Sequence, residues 1–269
     1  MFMDISIIIP VYQAKDTIKN TINSILKQNL KYINPKIEII LSVDDQKDYK
    51  KYLKSEKKNI KIRIIKTKKN GSGPGYARNE AIKNCKGRYV GFLDADDEYS
   101  DNYIQEMYKV VKKKQIVIAP THIFKDNKRI GVYSGKNKNF LRIDDVSNNP
   151  CSFHPFLNIK KIKKFELKPS QDIYNLSKFL NENSITIINT AYYKLNIREN
   201  SYTAKQNFSH NVNLAYKFYQ IKSIKDKKYK IAKQFAKRRI INNKYLKWKN
   251  ISTNKDKHYY EFININKRK

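Results

Sequence analysis

Residues 87–97 read GRYVGFLDADD, an apolar segment followed at once by three acidic residues. The run Arg88–Leu93 is typical of a buried strand, and it ends at Asp94. In an open α/β sheet, ligands bind outside the carboxyl ends of the strands. Asp94, Asp96 and Asp97 would repel one another there unless a cation lay among them, and Mg²⁺ or Mn²⁺ prefers such oxygen ligands. The segment therefore predicts a metal–diphosphate site, with a solvated acidic turn as the alternative.

Strand and helix signals alternate on both sides of this segment. The hydrophobic patterns predict further strands at 5–9, 37–43, 60–65 and 115–119, and helices at 14–29, 47–58, 76–85 and about 101–114. Strands that alternate with helices pair in parallel through right-handed crossovers. The predicted fold class is therefore α/β, a three-layer sandwich with a mainly parallel central sheet.

Beyond residue 120 the pattern weakens. It predicts a hairpin at 121–133, a polar loop at 134–150, a helix at 170–182, a strand at 184–194 and basic helices near 203–222 and 229–248. The predicted domains are residues 1–205 and a basic, helical C-terminal extension, residues 206–269.

The chain is strongly basic. Its 269 residues include 57 Lys and Arg against 24 Asp and Glu, a net charge of +33. Such a surface can attract nucleic acid, anionic lipid or anionic small molecules, but lysine is abundant throughout, so the charge alone decides nothing. No stretch approaches the roughly 18 apolar residues of a membrane span, and the N-terminus does not resemble a signal peptide. Two cysteines are too few for a disulfide framework or a zinc site, and a cytoplasmic location is predicted.

Three further features fall near predicted strand or helix ends. Asp44-Asp45 follows the strand 37–43, where a carboxylate can bind a nucleobase or ribose or simply start a loop. The loop Gly71–Gly75 matches neither the dinucleotide fingerprint nor a P-loop, but it brings Arg78 to a helix start, where it could meet a diphosphate or remain a surface residue. Asp172 begins another predicted helix, either as a capping acid or as a general base.

Taken together and in this order, these segments resemble the family 2 glycosyltransferases, which have the GT-A fold. The similarity covers residues 4–115 well and 150–203 loosely. It is carried by IIIPVYQAKDTIKNTINSILKQ, IEIILSVDD, GPGYARNEAIKNCKGRYVGFLDADD, PSQDIYN and AYYKLNIRENS. The resemblance implies inverting transfer of a hexosyl or N-acetylhexosaminyl group from a nucleotide-diphosphate donor, with UDP the expected nucleotide and Mn²⁺ or Mg²⁺ the expected cofactor.

The resemblance also implies a role for individual residues. The expected donor-nucleotide contacts are Pro10, Tyr12, Asp45, Arg78 and Asp94. Asp96 and Asp97 are the expected metal ligands, and Asp172 is the expected catalytic base. Tyr193, Arg198 and Ser201 match a later segment with a donor-side or structural role.

Several positions depart from the family pattern. Gln46-Lys47 stand where a Gly-Ser pair is usual, which puts the conformation of the base-binding loop in question. Gln171 replaces the usual Glu, so the catalytic acid rests on Asp172 alone. His210 is either an extra metal ligand, as in some GT-A enzymes, or a surface residue.

The predicted acceptor is a hydroxyl of a growing glycan or of a lipid-linked acceptor, as in bacterial surface polysaccharide or lipooligosaccharide. Basic, partly amphipathic helices in residues 206–269 predict peripheral binding to an anionic membrane surface, and a packed tail with a solvated basic face is the alternative. The alternative function is nucleic-acid binding, but acidic strand ends suit a polyanion poorly, and no zinc-finger spacing or RNP-type segment is present. A nucleotidyltransferase would carry a Gly-rich, basic signature where Pro10–Gln13 stand.

Overall fold

The computed structural model describes residues 3–52, 57–149, 151, 153–198, 208–254, 257 and 259–267. Its strands are β1 (Met3–Val11), β2 (Ile37–Val43), β3 (Ile60–Lys66), β4 (Gly87–Phe92), β5 (Glu98–Tyr99), β6 (Ile116–Ile118), β7 (Thr121–Lys125), β8 (Lys128–Tyr133), β9 (Phe140–Leu141), β10 (Phe156–Asn158), β11 (Ile185–Ile187) and β12 (Tyr193–Asn196). Its α-helices are α1 (Ile18–Leu26), α2 (Pro74–Asn84), α3 (Tyr103–Lys114), α4 (Gln171–Leu180), α5 (Phe208–Lys225), α6 (Tyr229–Lys249) and α7 (Tyr259–Lys267). A central sheet has the order β3-β2-β1-β4-β10-β6-β11-β9, and a smaller sheet has the order β5-β12-β7-β8.

The first four strands of the central sheet are parallel neighbours. β1 pairs with β2 and β4, and β2 pairs with β3 along its whole length. Every residue of β2 is buried, as in a strand covered on both faces. The chain adds β2 and β3 on one side of β1 and then crosses to β4 on the other. The strand order therefore reverses between β1 and β4, and open α/β sheets bind their ligands at such a point.

The other half of the central sheet is mixed. β10 runs antiparallel to both β4 and β6, whereas β11 is parallel to β6 and antiparallel to β9. Because β10 runs antiparallel to β4, it begins at the edge of the sheet where β4 ends. The residues just before β10 therefore lie beside the carboxyl end of β4.

Helices cover both faces of the central sheet. α1 and α3 pack on one face, in a cluster that includes Ile7, Ile22 and Met107. α2 packs on the other face, where Ala81 meets Ile8 of β1. These layers confirm the predicted α/β sandwich.

The C-terminal helices α5 and α6 form an antiparallel hairpin that shares a core with α4. Tyr219 stacks on Tyr174 of α4 with ring centroids 4.4 Å apart, and Phe235 of α6 packs against both rings. Buried Arg238 donates hydrogen bonds to the carbonyls of Val146 (2.9 Å) and Asn149 (2.8 Å). The hairpin is thus packed on the preceding residues, and the domain boundary at residue 205 stays a prediction.

Most predicted elements are confirmed, but three segments differ. Within the described residues of 47–58, the predicted helix is wrong and only Lys50–Tyr52 form a 3₁₀ turn. The polar loop 134–150 contains β9 and a 3₁₀ turn at Ile143–Asp145. The predicted strand 184–194 is divided between β11 and β12, which belong to different sheets.

The helix at 47–58 fails for a local reason. The Asp45 carboxylate accepts hydrogen bonds from the N–H of Lys47 (3.1 Å) and the hydroxyl of Tyr49 (2.9 Å). Side chain-to-backbone bonds of this kind compete with helix formation. They tie the start of the segment to the end of β2.

Candidate active site

The loop after β4 carries Asp94, whose two carboxylate oxygens face two different basic side chains. Oδ1 accepts a hydrogen bond from the guanidinium of Arg78 in α2, and Oδ2 lies 3.6 Å from Nε2 of His154. Burial raises the pKa of Asp94, but the charges of Arg78 and His154 outweigh it, and the pKa lies below its ordinary value. The Asp94 side chain is 33% exposed, so a negative charge meets solvent at this strand end.

Arg78 is a buried cation with an unused donor. Its side chain is 2% exposed, and its guanidinium lies 5.6 Å from the centre of the Phe165 ring. The Nε–H of Arg78 has no hydrogen-bond partner in the described part of the chain. The charge of Arg78 is thus held in the interior next to Asp94, at the end of β4.

His154 was not predicted as a site residue. It lies two residues before β10, and the antiparallel direction of that strand brings it to the end of β4. Its ring stacks on Tyr193 of β12 with centroids 4.7 Å apart. Burial lowers the pKa of His154, although the charges of Asp94 and Asp172 act to raise it. A lone histidine before a short apolar segment gives no signal in sequence, because the direction of the strand decides where it lies.

Asp96 and Asp97 face in different directions. Asp96 Oδ2 accepts a hydrogen bond of 2.5 Å from Arg198, and its side chain is 30% exposed. Asp97 is buried, with its oxygens accepting from the Tyr193 hydroxyl (2.7 Å) and the Asn196 N–H (2.9 Å). Burial, followed by the neighbouring negative charges, raises the pKa of both acids. Asp97 therefore fastens β12 to the loop after β4, and Asp94 and Asp96 remain at the surface.

Asp94 and Asp96 have the chemistry to hold a divalent cation. Both are partly exposed, and the pKa of Asp96 is raised first by burial and then by the charge of Asp94, a repulsion that a cation would relieve. Among the described residues, no three His, Cys, Asp or Glu side chains are grouped to hold a metal alone. Mg²⁺ commonly needs only one or two carboxylates together with substrate phosphates. The ligand role of Asp97 stays a prediction, since both of its oxygens already accept hydrogen bonds.

The ends of β1 and β2 carry the residues predicted to bind the base. Pro10 lies where β1 continues beside β2 after its pairing with β4 has ended. Tyr12 is 46% exposed, and its ring lies against Gly71. Asp45 is buried, and its Oδ2 accepts a hydrogen bond from the N–H of Gln13 (2.8 Å). Asp45 thus holds the loop after β1 in place, and direct contact with a nucleobase stays a prediction.

Gln46 takes the conformation that a glycine would adopt most easily. Its φ is +58°, in the left-handed region, and its Nε2 donates to the carbonyl of Thr67 at 2.8 Å. The neighbouring Asp44 accepts from the Thr67 hydroxyl (2.6 Å) and from the N–H of Gly73 (2.7 Å). The departure from Gly-Ser therefore leaves a glycine-like backbone, and Asp44 anchors the Gly-rich loop.

Asp172 lies in the first turn of α4, and its Oδ1 accepts a hydrogen bond from the N–H of Ile173 (2.9 Å). The N-cap residue is Ser170, so Asp172 is not the cap. The charge of Asp172 reaches His154, which also contacts Asp94. The structure thus gathers Asp94, His154 and Asp172 in one region, although Asp94 and Asp172 are 78 positions apart in the sequence.

The remaining predicted positions separate into three groups. Tyr193 and Arg198 contact the acidic loop, as described above. His210 is exposed on α5 and belongs to no potential metal-binding group among the described residues. Ser201 lies outside the described residues.

Comparisons with known proteins identify relatives of this chain. The model of the family described as Glycosyl transferase family 2 matches residues 6–162. The glycosyltransferase GlyA of Streptococcus pneumoniae serotype 4 is 26% identical over 163 residues, covering 61% of this chain and 23% of that protein. The minor teichoic acid biosynthesis protein GgaB of Bacillus subtilis (strain 168) is 28% identical over 226 residues, covering 78% of this chain and 25% of that protein. The chain thus spans about a quarter of the length of each of these two relatives.

A third relative is closer in length. The UDP-Glc:alpha-D-GlcNAc-diphosphoundecaprenol beta-1,3-glucosyltransferase WfgD of Escherichia coli is 28% identical over 204 residues, covering 70% of this chain and 74% of that protein. Among solved structures, S. aureus TarS 1–349 matches with a TM-score of 0.65 and 19% identity, covering 88% of this chain and 71% of that one. Its complex with UDP-GlcNAc matches with a TM-score of 0.62 and 19% identity, covering 81% of this chain and 67% of that one. The structural likeness shows a shared fold.

Proposed function

Because the chain belongs to glycosyl transferase family 2 and is a glycosyltransferase, we propose that it transfers a sugar with inversion from a UDP-sugar to a hydroxyl of a growing glycan. The observation that carries the proposal is the partly exposed pair Asp94 and Asp96, at the point where the strand order reverses, with Arg78 beside it. The name of WfgD specifies UDP-Glc, and TarS was crystallised with UDP-GlcNAc. A hexose or N-acetylhexosamine is the sugar that we propose.

The proposed acceptor belongs to bacterial surface polysaccharide, including lipooligosaccharide, as a free glycan or a lipid-linked one. The name of GgaB specifies teichoic acid biosynthesis, and that of WfgD specifies a diphosphoundecaprenol-linked acceptor. A cytoplasmic location agrees with a nucleotide-sugar donor. Among the described residues, no helix is both long and apolar enough to cross a membrane.

On the donor side, exposed Tyr12 offers a ring face to the base, and Asp45 shapes the adjoining loop. Asp94 accepts from the ribose hydroxyls through the carboxylate whose Oδ1 is held by Arg78. A divalent cation, held by Asp96 together with Asp94, would stabilise the negative charge that develops on the departing diphosphate. These contacts fix the anomeric carbon for attack.

On the acceptor side, Asp172 is the proposed general base. Its carboxylate takes the proton of the acceptor hydroxyl while that oxygen forms a bond to the anomeric carbon. The bond from that carbon to the diphosphate oxygen breaks on the opposite face, which inverts the configuration. A well-placed base typically contributes about 10²–10⁴ in rate.

The donor reaction tests this proposal directly. The protein is incubated with UDP-Glc, UDP-Gal, UDP-GlcNAc or UDP-GalNAc and Mn²⁺, with water in place of the acceptor hydroxyl. Release of UDP and the anomer of the free sugar are measured by NMR. We expect one or two donors to release UDP with inversion, and Asp94→Asn to abolish this. Asp126→Asn, in the exposed β7–β8 turn, is the matched control and should leave it unchanged. No UDP release from any donor, or retention of configuration, contradicts the proposal.

We also propose an anionic membrane surface as a partner, bound through the outer face of the α5–α6 hairpin. On α5 this basic–apolar face comprises Leu214, Lys217, Ile221 and Ile224, spaced three or four residues apart on the side opposite the buried residues. The three apolar side chains are between 45% and 55% exposed. The alternative, a packed tail with a solvated basic face, does not require a row of aliphatic side chains on that face.

The α6 part of the basic–apolar face supplies the positive charge. Its exposed positions at the same spacing are Lys230, Lys233, Lys237, Ile240, Lys244 and Lys247. From Phe208 to Lys249 the chain contains a single acidic residue, Asp226, in the turn between the helices. Lysines around exposed aliphatic side chains fit phosphate headgroups above an acyl boundary, and each contributes about 1 kcal/mol near an anionic surface.

Vesicle flotation tests the membrane partner. Full-length protein should float with phosphatidylglycerol–phosphatidylcholine vesicles and not with phosphatidylcholine alone. Two triple variants, Lys233/Lys237/Lys244→Gln and Leu214/Ile221/Ile224→Ser, should each lose flotation. Lys112/Lys113/Lys114→Gln, which removes three lysines from α3, is the control and should float like the wild type. Equal flotation of all variants would contradict the assignment. Loss only in the lysine variant, with equal retention by single-stranded DNA, would indicate a polyanion site instead.

A further inference from the structure

His154 is a buried side chain that the proposed chemistry does not use. It is 7% exposed and lies between the donor side, where it contacts Asp94, and the acceptor side, where the charge of Asp172 reaches it. Its position next to two residues with proposed roles suggests that it acts through one of them.

The contact with Asp94 complements that of Arg78. Arg78 donates a hydrogen bond to Oδ1, and His154 Nε2 lies 3.6 Å from Oδ2. The two side chains therefore contact different oxygens of one carboxylate. With Arg78 alone, the carboxylate could turn about its Cβ–Cγ bond and still keep one hydrogen bond. With His154 also present, the second oxygen lies beside a polar ring atom, which restricts that rotation.

The imidazole itself is held rigidly. It stacks on Tyr193, and the hydroxyl of Tyr193 both donates to Asp97 (2.7 Å) and accepts from the backbone N–H of Asp94 (3.1 Å). The ring and the loop after β4 are therefore anchored to the same tyrosine. Shared anchoring keeps Nε2 and the Asp94 carboxylate at a constant separation.

We propose that His154 is a positioning residue for the donor: it fixes the Asp94 carboxylate in the orientation that receives the ribose, through the oxygen that Arg78 leaves free. The inference rests on the proposed donor role of Asp94. It predicts that loss of the imidazole N–H weakens donor binding more than it slows the chemical step.

Two substitutions separate the polar contact with Asp94 from packing on Tyr193. His154→Phe keeps an aromatic ring that can stack on Tyr193 but has no N–H. His154→Gln loses the ring, but its amide nitrogen can reach the place of Nε2. The matched control is His122→Phe, because His122 also stacks on a tyrosine, Tyr192, at 4.1 Å, and lies on β7 of the smaller sheet.

The experiment measures the dissociation constant of UDP by calorimetry and the KM and kcat for the active UDP-sugar, with the melting temperature of each variant. Loss of the polar ring atom that lies 3.6 Å from Asp94 Oδ2 predicts an increase of about tenfold in Kd and KM for His154→Phe. We expect kcat to stay within about threefold, and His154→Gln to recover most of the affinity. His122→Phe should match the wild type.

Equal UDP affinity in His154→Phe and the wild type would overturn the inference, as would better binding by His154→Phe than by His154→Gln, which would indicate a packing role. A fall in kcat alone would also overturn it. If the wild-type protein binds UDP and releases it from a donor, the proposed function stands whichever way the variants behave. If the wild type does neither, the proposed function fails and this inference fails with it.

Discussion

The two halves of the central sheet present functional side chains in different ways. In the parallel half, β3-β2-β1-β4, the residues of interest directly follow a strand: Tyr12 follows β1, Asp45 follows β2, and Asp94 follows the β4 segment. In the mixed half, His154 precedes a strand and Asp172 lies in the first turn of a helix. Both halves nevertheless supply residues to the same edge of the central sheet, at the carboxyl ends of β1, β2 and β4.

The difference lies in strand direction. Repeated strand–helix units bring the loop after each parallel strand to the same edge of the sheet. Successive loops can therefore form one binding site for the donor. The antiparallel β10 reverses this rule and brings the residue before a strand to that edge. After their proposed roles, we call the parallel strands β3-β2-β1-β4 with their loops the donor half and the remaining strands with α4 the acceptor half. The donor half is built by repetition, and the acceptor half by insertion and helix packing.

The largest expected effect separates the two halves by function. Asp172→Asn removes the proposed base and keeps the size of the side chain, so turnover should fall by about 10²–10⁴. UDP affinity should stay as in the wild type, because the donor half is intact. Turnover is measured with a saturating donor and affinity by calorimetry. Wild-type turnover in this variant would show that the acceptor half does not supply the base.

A second prediction concerns the seam between the halves. Gly75 of α2 faces the loop before α4, and a Cβ built at this position would lie 2.2 Å from the carbonyl oxygen of Glu166. Gly75→Ala must displace that backbone, with an expected loss of about 1–3 kcal/mol in the free energy of unfolding. Because the loop leads into α4, turnover should also fall.

The matched control for the seam is Gly131→Ala in β8, where the nearest atom to a new Cβ is a ring carbon of Tyr133 at 3.2 Å. A flexible side chain can move more easily than a backbone carbonyl. Chemical denaturation of the two variants should therefore give a larger loss for Gly75→Ala. An equal or smaller loss would mean that the two halves are not tightly apposed there.

The pH dependence of stability tests the burial of His154. Its pKa in the folded protein is lowered from the ordinary 6.5. At pH values between the lowered pKa and 6.5, the unfolded chain therefore binds a proton that the folded chain does not. Stability from this group is present above pH 6.5 and is lost as the pH falls through the lowered value. The fall in unfolding free energy from about pH 7.5 to about pH 5 should be smaller in His154→Gln. If the unfolding free energy of the variant and of the wild type changed equally with pH, the imidazole would be solvated in the folded protein.

The smallest effect is expected at the loop after β2. Gln46→Gly relieves a left-handed non-glycine backbone but removes the hydrogen bond to Thr67, so the free energy of unfolding should change by less than about 1 kcal/mol. UDP affinity should remain within about twofold. A large loss of affinity would assign the Gln46 side chain itself to the donor half.

The donor half could be predicted from sequence because its strands are long, apolar and separated by helices of regular period. The run 37–43 was predicted with its observed bounds, and Asp94 follows its strand as expected. The acceptor half could not, because strands of two or three residues have no measurable period. The apolar segment 184–194 could not reveal that its ends join different sheets, and nothing near His154 indicated an antiparallel strand.

Within the site, the sequence located the acids but not their orientation. Asp96 and Asp97 are adjacent in sequence, yet one meets solvent and the other is turned inward by Tyr193 and Asn196. Those partners lie about one hundred residues away along the chain, which no local pattern could indicate.

Calorimetric titration with UDP, GDP and CMP, each with and without Mn²⁺, is the decisive test of a donor site at the end of β4. Binding of UDP should depend on Mn²⁺, be lost in Asp96→Ala and be retained in Asp126→Asn. Absence of metal-dependent nucleotide binding in the wild type, or undiminished binding in Asp96→Ala, would contradict a donor site at the end of β4.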